Sequence, residues 1–154
     1  MAIELQVAKA CEHEKIPPVG WFNDWFEIIL DQVGDPRRNL EVSVRICDSE
    51  ESCALNRNYR GIDKPTNVLS FPADIDLKDF SHVLGDLAIC WDVLSTESRD
   101  QNKDLVDHAS HLFIHGILHL LGYTHDDARL ASFMEKIEIE ALARQNVADP
   151  YRGL

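Results

Sequence analysis

Three histidines in the stretch from His108 to Asp127 have the spacing of a metal site. His115 and His119 are four residues apart, so a helix would place both imidazoles on one face, one turn apart. His125 follows past Gly122, where a glycine can end the helix and let the chain turn back. Three imidazoles that approach from two directions leave one side of a tetrahedral ion open, which is typical of a catalytic zinc rather than a closed structural one.

The spacing of these histidines also resembles the zinc-protease pattern H-E-x-x-H-x-x-G-x-x-H. One position differs, because Gly116 stands where those proteases carry the glutamate that acts as general base. Glycine cannot accept a proton. A peptidase interpretation therefore requires another carboxylate to take over that function.

The stretch HGILHLLGYTH resembles the signature H-G-x-L-H-L-x-G-Y-D-H of the YbeY family of metal-dependent endoribonucleases. Two further stretches, LNRNYRGIDKPTNVLSFP and GDLAIC, resemble that family's other motifs in the expected order, and the resemblance runs from Leu55 to the end of the chain. Inside the signature, Thr124 replaces the family's usual aspartate. If that carboxylate acts in the reaction, either activity is reduced here or Asp126 substitutes for it.

This resemblance implies a single-strand-specific, zinc-dependent endoribonuclease that acts in 16S rRNA 3′-end maturation and in quality control of the small ribosomal subunit. It implies single-stranded RNA as substrate, and contacts with a small-subunit ribosomal protein and an assembly GTPase. For the site, we expect one zinc ion bound by His115, His119 and His125, with His115 and His119 also counted as catalytic.

Recognition of a phosphate calls for a cation with planar donors, and Arg60 is the candidate. It stands in LNRNYRGIDKPT at the end of a predicted helix, and the resemblance implies that it is the family's functionally important arginine. Arg57 and Lys64 lie close by in the sequence and can extend a local positive patch. The alternative is that Arg60 pairs with a carboxylate and caps its helix.

Other polar residues near the motifs are expected to support the site. His111 lies one turn before His115 on the same helical face, and we interpret it and His108 as supporting or packing residues rather than ligands. Asp86 lies at a predicted strand end, and two interpretations remain open for it. It orients a ligand histidine by accepting its second N–H, or it caps the following turn.

The pattern of apolar residues predicts one α+β domain over residues 1–154, with a small mixed sheet of about four strands covered by helices and the metal site on a central helix and the loop after it. Strands are predicted over about 3–9, 40–47, 66–71 and 85–91. Helices are predicted over about 19–33, from Asp48 or Ser49 to Gly61, from Asp92 or Ser95, over 105–121, and in a last helix formed by Leu130, Phe133, Met134, Ile137, Ile139, Leu142 and their neighbours. We predict a polar loop from about Ala73 to Val83 and a frayed tail from Asp149.

The composition sets limits on how this chain can bind RNA. The formal net charge is −12, which is the wrong sign for a protein that holds nucleic acid by its general field. Binding to RNA must therefore rest on a local basic patch or on a partner.

The chain carries no sequence signal for export or membrane insertion. Its apolar runs fall short of the ~20 residues of a membrane span, and the start MAIELQVAKA lacks the pattern of a secretory signal. Its cysteines form no C-x-x-C pair and are expected to be reduced thiols. These features predict a cytoplasmic protein.

Two other functions compete with RNA cleavage. One is a metallopeptidase or another zinc hydrolase, which the histidine spacing suggests and Gly116 opposes. The other is a non-catalytic ribosome-assembly factor whose metal is mainly structural. The acidic composition favours this third function, since an acidic protein can dock on basic ribosomal proteins.

Overall fold

A four-stranded sheet underlies the fold in the computed structural model, which describes residues 3–73 and 82–152 of the chain. Its strands are β1 (Ile3–Val7), β2 (Glu41–Cys47), β3 (Val68–Pro72) and β4 (Val83–Cys90), in the spatial order β1-β2-β4-β3. The pairs β1–β2 and β2–β4 are parallel, while β3 runs antiparallel to β4. The predicted small mixed sheet is therefore confirmed.

Five α-helices surround this sheet in the described part of the chain. They are α1 (Val19–Val33), α2 (Ser49–Arg60), α3 (Trp91–Asp100), α4 (Leu105–Leu120) and α5 (Ala128–Ala143). Several boundaries differ from prediction, and among the strands β3 covers Val68–Pro72 instead of 66–71 and β4 begins at Val83 instead of 85. The first strand stops at Val7 because a one-turn 3₁₀ helix, Lys9–Cys11, follows it, and α3 begins at Trp91 directly after β4.

The central helix α4 carries the histidine motif and is buried along most of its length. It contacts β3 and β4 on the sheet and also α1, α3 and α5. The Asp104 side chain caps its first turn by accepting a hydrogen bond from the Asp107 N–H at 3.0 Å. At the other end, Gly122 has φ of 101°, and the Tyr123 N–H donates back to the Leu118 carbonyl at 3.0 Å. The chain therefore reverses at Gly122, as its sequence predicts.

Aromatic side chains of α1 form the contact with α4. The rings of Phe22 and Phe113 meet edge to face with centroids 5.2 Å apart, and Trp21 packs beside them. Trp25 is buried. The helical spacing of these aromatic residues predicts a core position rather than a surface for stacking bases, and the structure agrees.

The opposite face of the sheet is covered by α2, which ends close to the site. Its N-cap Asp48 accepts a hydrogen bond from the Glu51 N–H at 2.9 Å, and Gly61 ends it in the left-handed conformation with φ of 70°. Arg60 is therefore the last residue of α2, as predicted.

The predicted last helix is confirmed as α5, while the predicted frayed tail is wrong. Leu130 and Phe133 are 41% and 55% exposed, while Glu138 occupies the buried face of α5 and is fully buried. The tail is not frayed as far as residue 152, because the Tyr151 hydroxyl donates to Glu138 and the Lys103 ammonium donates to the Pro150 carbonyl at 2.7 Å.

Residues 74–81, most of the predicted polar loop, lie outside the described residues. The four cysteines are free thiols. Among the helices of residues 3–73 and 82–152, none combines the length and apolar character that crossing a membrane requires.

Candidate metal centre

The three histidines of the motif converge on one point at the end of α4. His115 and His119 lie one turn apart on the helix, and His125 approaches from the loop beyond Gly122. The Nε2 atoms of His115 and His119 are 3.0 Å apart. One ligand nitrogen from each of the three rings lies within 4.8 Å of the other two.

Hydrogen bonds orient two of these rings so that Nε2 faces the centre. The Nδ1 atom of His115 lies 2.6 Å from a Glu138 carboxylate oxygen, and Nδ1 of His119 lies 3.0 Å from the Tyr123 carbonyl oxygen. Carboxylates and carbonyls only accept, so Nδ1 carries the proton in each neutral ring. Two Nε2 lone pairs therefore point at each other, which is an arrangement that a cation stabilises.

The donor set fits a zinc ion. Two ligand atoms of a tetrahedral zinc, each about 2.0–2.1 Å from the ion, lie about 3.3 Å apart. The nitrogens observed here are spaced from 3.0 Å to within 4.8 Å. Imidazole is a preferred zinc ligand, and three protein ligands leave a position open for chemistry.

Glu138 links His115, one of the three candidate ligands, to the rest of the protein. It is fully buried, and it contacts Nδ1 of His115 through one oxygen and Nε2 of His111 through the other, the latter at 3.0 Å. The Tyr151 hydroxyl donates to that second oxygen. Burial alone would raise the pKa of the Glu138 carboxyl, but hydrogen bonds from His111, His115 and Tyr151 lower the pKa to about 2. The carboxylate is therefore ionised at neutral pH and holds His115 in place.

Burial also acts on His119. Removal from water lowers the pKa of this imidazole, and the nearby His115 adds to the effect. A lowered pKa keeps the ring neutral, which is the form that binds a metal.

Glu138 and Tyr151 were missed by reasoning from the sequence. Glu138 lies four residues after Met134 and three before Ala141, so a carboxylate on the apolar face of α5 was the available signal. For Tyr151 we find no comparable signal in the sequence. His111, in contrast, contacts Glu138 as expected of a supporting residue.

Other polar candidates lie elsewhere. Asp86 is exposed, and it points away from α4, because its neighbour Leu87 faces Gly116 of that helix. It therefore orients none of the three histidines, and that interpretation was wrong. His108 contacts Glu97 at 2.9 Å, away from the three ligands. Asp126 is exposed.

A cleft of about 670 Å³ opens in front of the three histidines. Its lining comes from the end of α2, from β3 and from the loop after α4, and consists of Tyr59, Arg60, Thr66, Asn67, Val68, Leu69, Ser70, Phe71, Pro72, His115, His119, Tyr123, Thr124 and His125. Arg60 and the three histidines of the motif therefore share one cavity.

The surroundings of Arg60 differ from those of its basic neighbours. Arg57 forms an ion pair with Asp63 at 3.1 Å, and Lys64 is exposed outside the cleft lining. Arg60 is exposed, and no carboxylate within residues 3–73 and 82–152 pairs with it. The alternative in which Arg60 pairs with a carboxylate therefore finds no support in the described structure.

A family model described as "Endoribonuclease YbeY" matches residues 7–146. The chain belongs to the endoribonuclease YbeY family. Two curated relatives carry the same name: one from Colwellia psychrerythraea is 43% identical over 97% of this chain and 96% of its own length, and one from Chromohalobacter salexigens is 46% identical over the same shares. The solution structure of a Thermotoga maritima protein matches 98% of this chain and 99% of its own, with a TM-score of 0.57 and 23% identity, and supports the fold.

The glycine that separates the family's signature from the zinc-protease pattern is enclosed. A Cβ atom on Gly116 would lie 3.0 Å from Leu87 Cδ2 and 3.2 Å from Val68 Cγ2, so this side of α4 faces the sheet. A glutamate side chain at this position would begin in the space between α4 and the sheet. The position therefore offers no room for a general base.

We predict that Gly116→Glu destabilises the protein and creates no peptidase activity. Overpacking costs about 1–3 kcal/mol, and burial of a carboxylate adds to it. Thermal unfolding should show a lower melting temperature than wild type, and unstructured protein should remain uncut. Gly20→Glu in α1, where nothing lies within 4 Å of an added Cβ, is the matched control. Efficient peptide cleavage by Gly116→Glu would show that this description of the cleft is wrong.

Proposed function

We propose that this protein is a zinc-dependent endoribonuclease that cleaves single-stranded RNA, and that it acts in 16S rRNA 3′-end maturation and small-subunit quality control. One observation carries the proposal. Arg60 and three convergent imidazoles line the same cleft, and Arg60 has no carboxylate partner in the described chain. Its family membership supports the same activity.

The three histidines would hold one zinc ion. When bound, the ion supplies a Lewis acid that offsets the negative charge developing on a phosphodiester. Glu138 orients His115 and the Tyr123 carbonyl orients His119, so both Nε2 atoms are held in position before substrate arrives.

Arg60 would bind the phosphate. Its planar guanidinium can donate two parallel hydrogen bonds to phosphate oxygens, which a lysine ammonium cannot do. Arg60 lines the cleft without belonging to the histidine cluster, so its guanidinium and a zinc ion held by the histidines would supply two separate positive charges to one substrate.

The acidic surface suits protein partners. With a net charge of −12, the chain repels RNA at long range, so RNA binding rests on the cleft. The same charge favours docking on a basic small-subunit ribosomal protein, and we include such a contact and one with an assembly GTPase in the proposal. A ribosomal RNA substrate implies a cytoplasmic location.

Cleavage assays with three substrates separate this function from its alternatives. Metal-loaded protein should cut a single-stranded RNA, leave the matched duplex and an unstructured peptide intact, and lose activity in chelator. Cleavage of the peptide would favour a metallopeptidase, which the enclosed Gly116 opposes. A protein that binds metal and cuts none of the three substrates would favour the non-catalytic assembly factor.

A further inference from the structure

An exposed aromatic side chain stands at the rim of the cleft. Tyr59 is 69% exposed, the highest value among the large apolar side chains that the structure describes. Its ring packs on Phe71, with centroids 4.3 Å apart and planes inclined at 57°. Within residues 3–73 and 82–152 its hydroxyl has no hydrogen-bond partner. Packing on Phe71 therefore accounts for only part of the ring, and most of it faces solvent.

Tyr59 is held beside the phosphate-binding candidate. It precedes Arg60 in the last turn of α2, and consecutive Cα atoms are about 3.8 Å apart, less than the length of one nucleotide. Gly61 ends the helix there, and both residues of this last turn line the wall of the cleft. Tyr59, Phe71 and Arg60 all line the cleft that contains the three histidines.

Phe71, which backs the ring of Tyr59, is linked through its strand to α4, the helix that carries His115 and His119. Phe71 lies in β3 next to Ser70, whose hydroxyl donates to the Gly116 carbonyl of α4 at 3.2 Å. The ring of Tyr59 is therefore positioned relative to the imidazoles by strand and helix rather than by a free loop. A preformed platform of this kind binds a planar ligand without a large ordering cost.

We propose that Tyr59, backed by Phe71, is a stacking subsite for the nucleobase adjacent to the phosphate that Arg60 holds, an inference that rests on the proposed function. Every base presents a π-face to an aromatic ring, so the subsite tolerates different sequences. A base in a duplex is already stacked and paired and must leave the helix to reach Tyr59. The subsite therefore contributes to the preference for single strands.

The test compares Tyr59→Leu and Tyr59→Phe with wild type for binding of one unstructured RNA. Tyr59→Leu keeps apolar bulk over Phe71 and removes the aromatic face, so binding should weaken roughly 5- to 100-fold, and Tyr59→Phe should restore most of it. The melting temperature should stay close to wild type in both. Phe133→Leu, an exposed aromatic residue of α5 outside the cleft lining, is the control for loss of a surface ring.

Two abasic RNAs locate the effect. After the cleavage position of wild type is mapped, the base on each side of it is removed in turn to give abasic RNAs. Wild type should bind one of them about as weakly as Tyr59→Leu binds the intact RNA. When Tyr59→Leu is combined with that abasic RNA, the loss of affinity from the substitution and the loss from the missing base should not add. Equal affinity of Tyr59→Leu and wild type for intact RNA, or fully additive losses, would overturn the subsite. If wild type binds the RNA but does not cleave it, the proposed function is refuted instead. The comparison of RNA binding between wild type and Tyr59→Leu would then still test the subsite. If wild type fails to bind the unstructured RNA, both the subsite and the proposed function are overturned.

Discussion

His119→Ala should release the metal ion and reduce RNA cleavage to near background. The substitution removes one of three imidazoles whose ligand nitrogens lie within 4.8 Å of one another, and the remaining two do not retain the ion. Loss of a metal that stabilises transition-state charge costs several kcal/mol, on the order of a thousandfold or more in rate. Elemental analysis and single-turnover cleavage of one unstructured RNA measure the two effects.

The control for this substitution is a histidine that belongs neither to the cluster nor to the cleft lining. His13→Ala removes an imidazole whose side chain is 74% exposed, and it should keep both metal and activity. Chelation of wild type should lower the melting temperature if the ion also stabilises the loop that carries His125. A His119→Ala protein that is folded and fully loaded with metal would refute the assignment of the ligands.

Arg60→Ala should keep the fold and the metal and lose much of the cleavage. Arg60 is exposed at the end of α2, so its removal costs little packing, and it is not a metal ligand. A preorganised cation that acts on transition-state charge is typically worth a few kcal/mol, on the order of a hundredfold or more in rate. Arg60→Lys should recover only part of the loss, because the ammonium keeps the charge without the planar fork.

The matched control is Arg57→Ala, three residues earlier in the same helix. Arg57 is paired with Asp63 and does not line the cleft, so this variant should cleave close to the wild-type rate. Melting temperature and metal content are measured for all variants. If Arg60→Ala cleaves as wild type does, Arg60 does not bind the phosphate, and substitutions of Arg57 and Lys64 are the next to test. If it unfolds or loses metal, Arg60 has a structural function.

The local features of the site could be predicted from the sequence because they follow from short-range geometry. Helical periodicity places His115 and His119 on one face, and Gly122 reverses the chain so that His125 returns to them. The same kind of rule places Arg60 at the end of α2, since Gly61 stops the helix there.

The features that depend on packing between distant elements could not be predicted in this way. Glu138 reaches His115 only because α5 packs against α4, and Tyr151 reaches Glu138 only because the chain end folds back. Nothing in the local pattern indicates such pairings. The sheet order is a similar case, since β4 inserts between β2 and β3 although β3 precedes it in the chain.

The most direct test of the central claim is a titration of metal-free protein with Zn²⁺, followed by single-turnover cleavage of a single-stranded RNA. The chelated protein should be inactive, and the rate should rise in proportion to added zinc and stop rising at one ion per chain, because the three imidazoles form one site. Full cleavage by metal-free protein, or a rate that zinc does not change, would contradict the claim that these histidines and one bound metal drive the reaction.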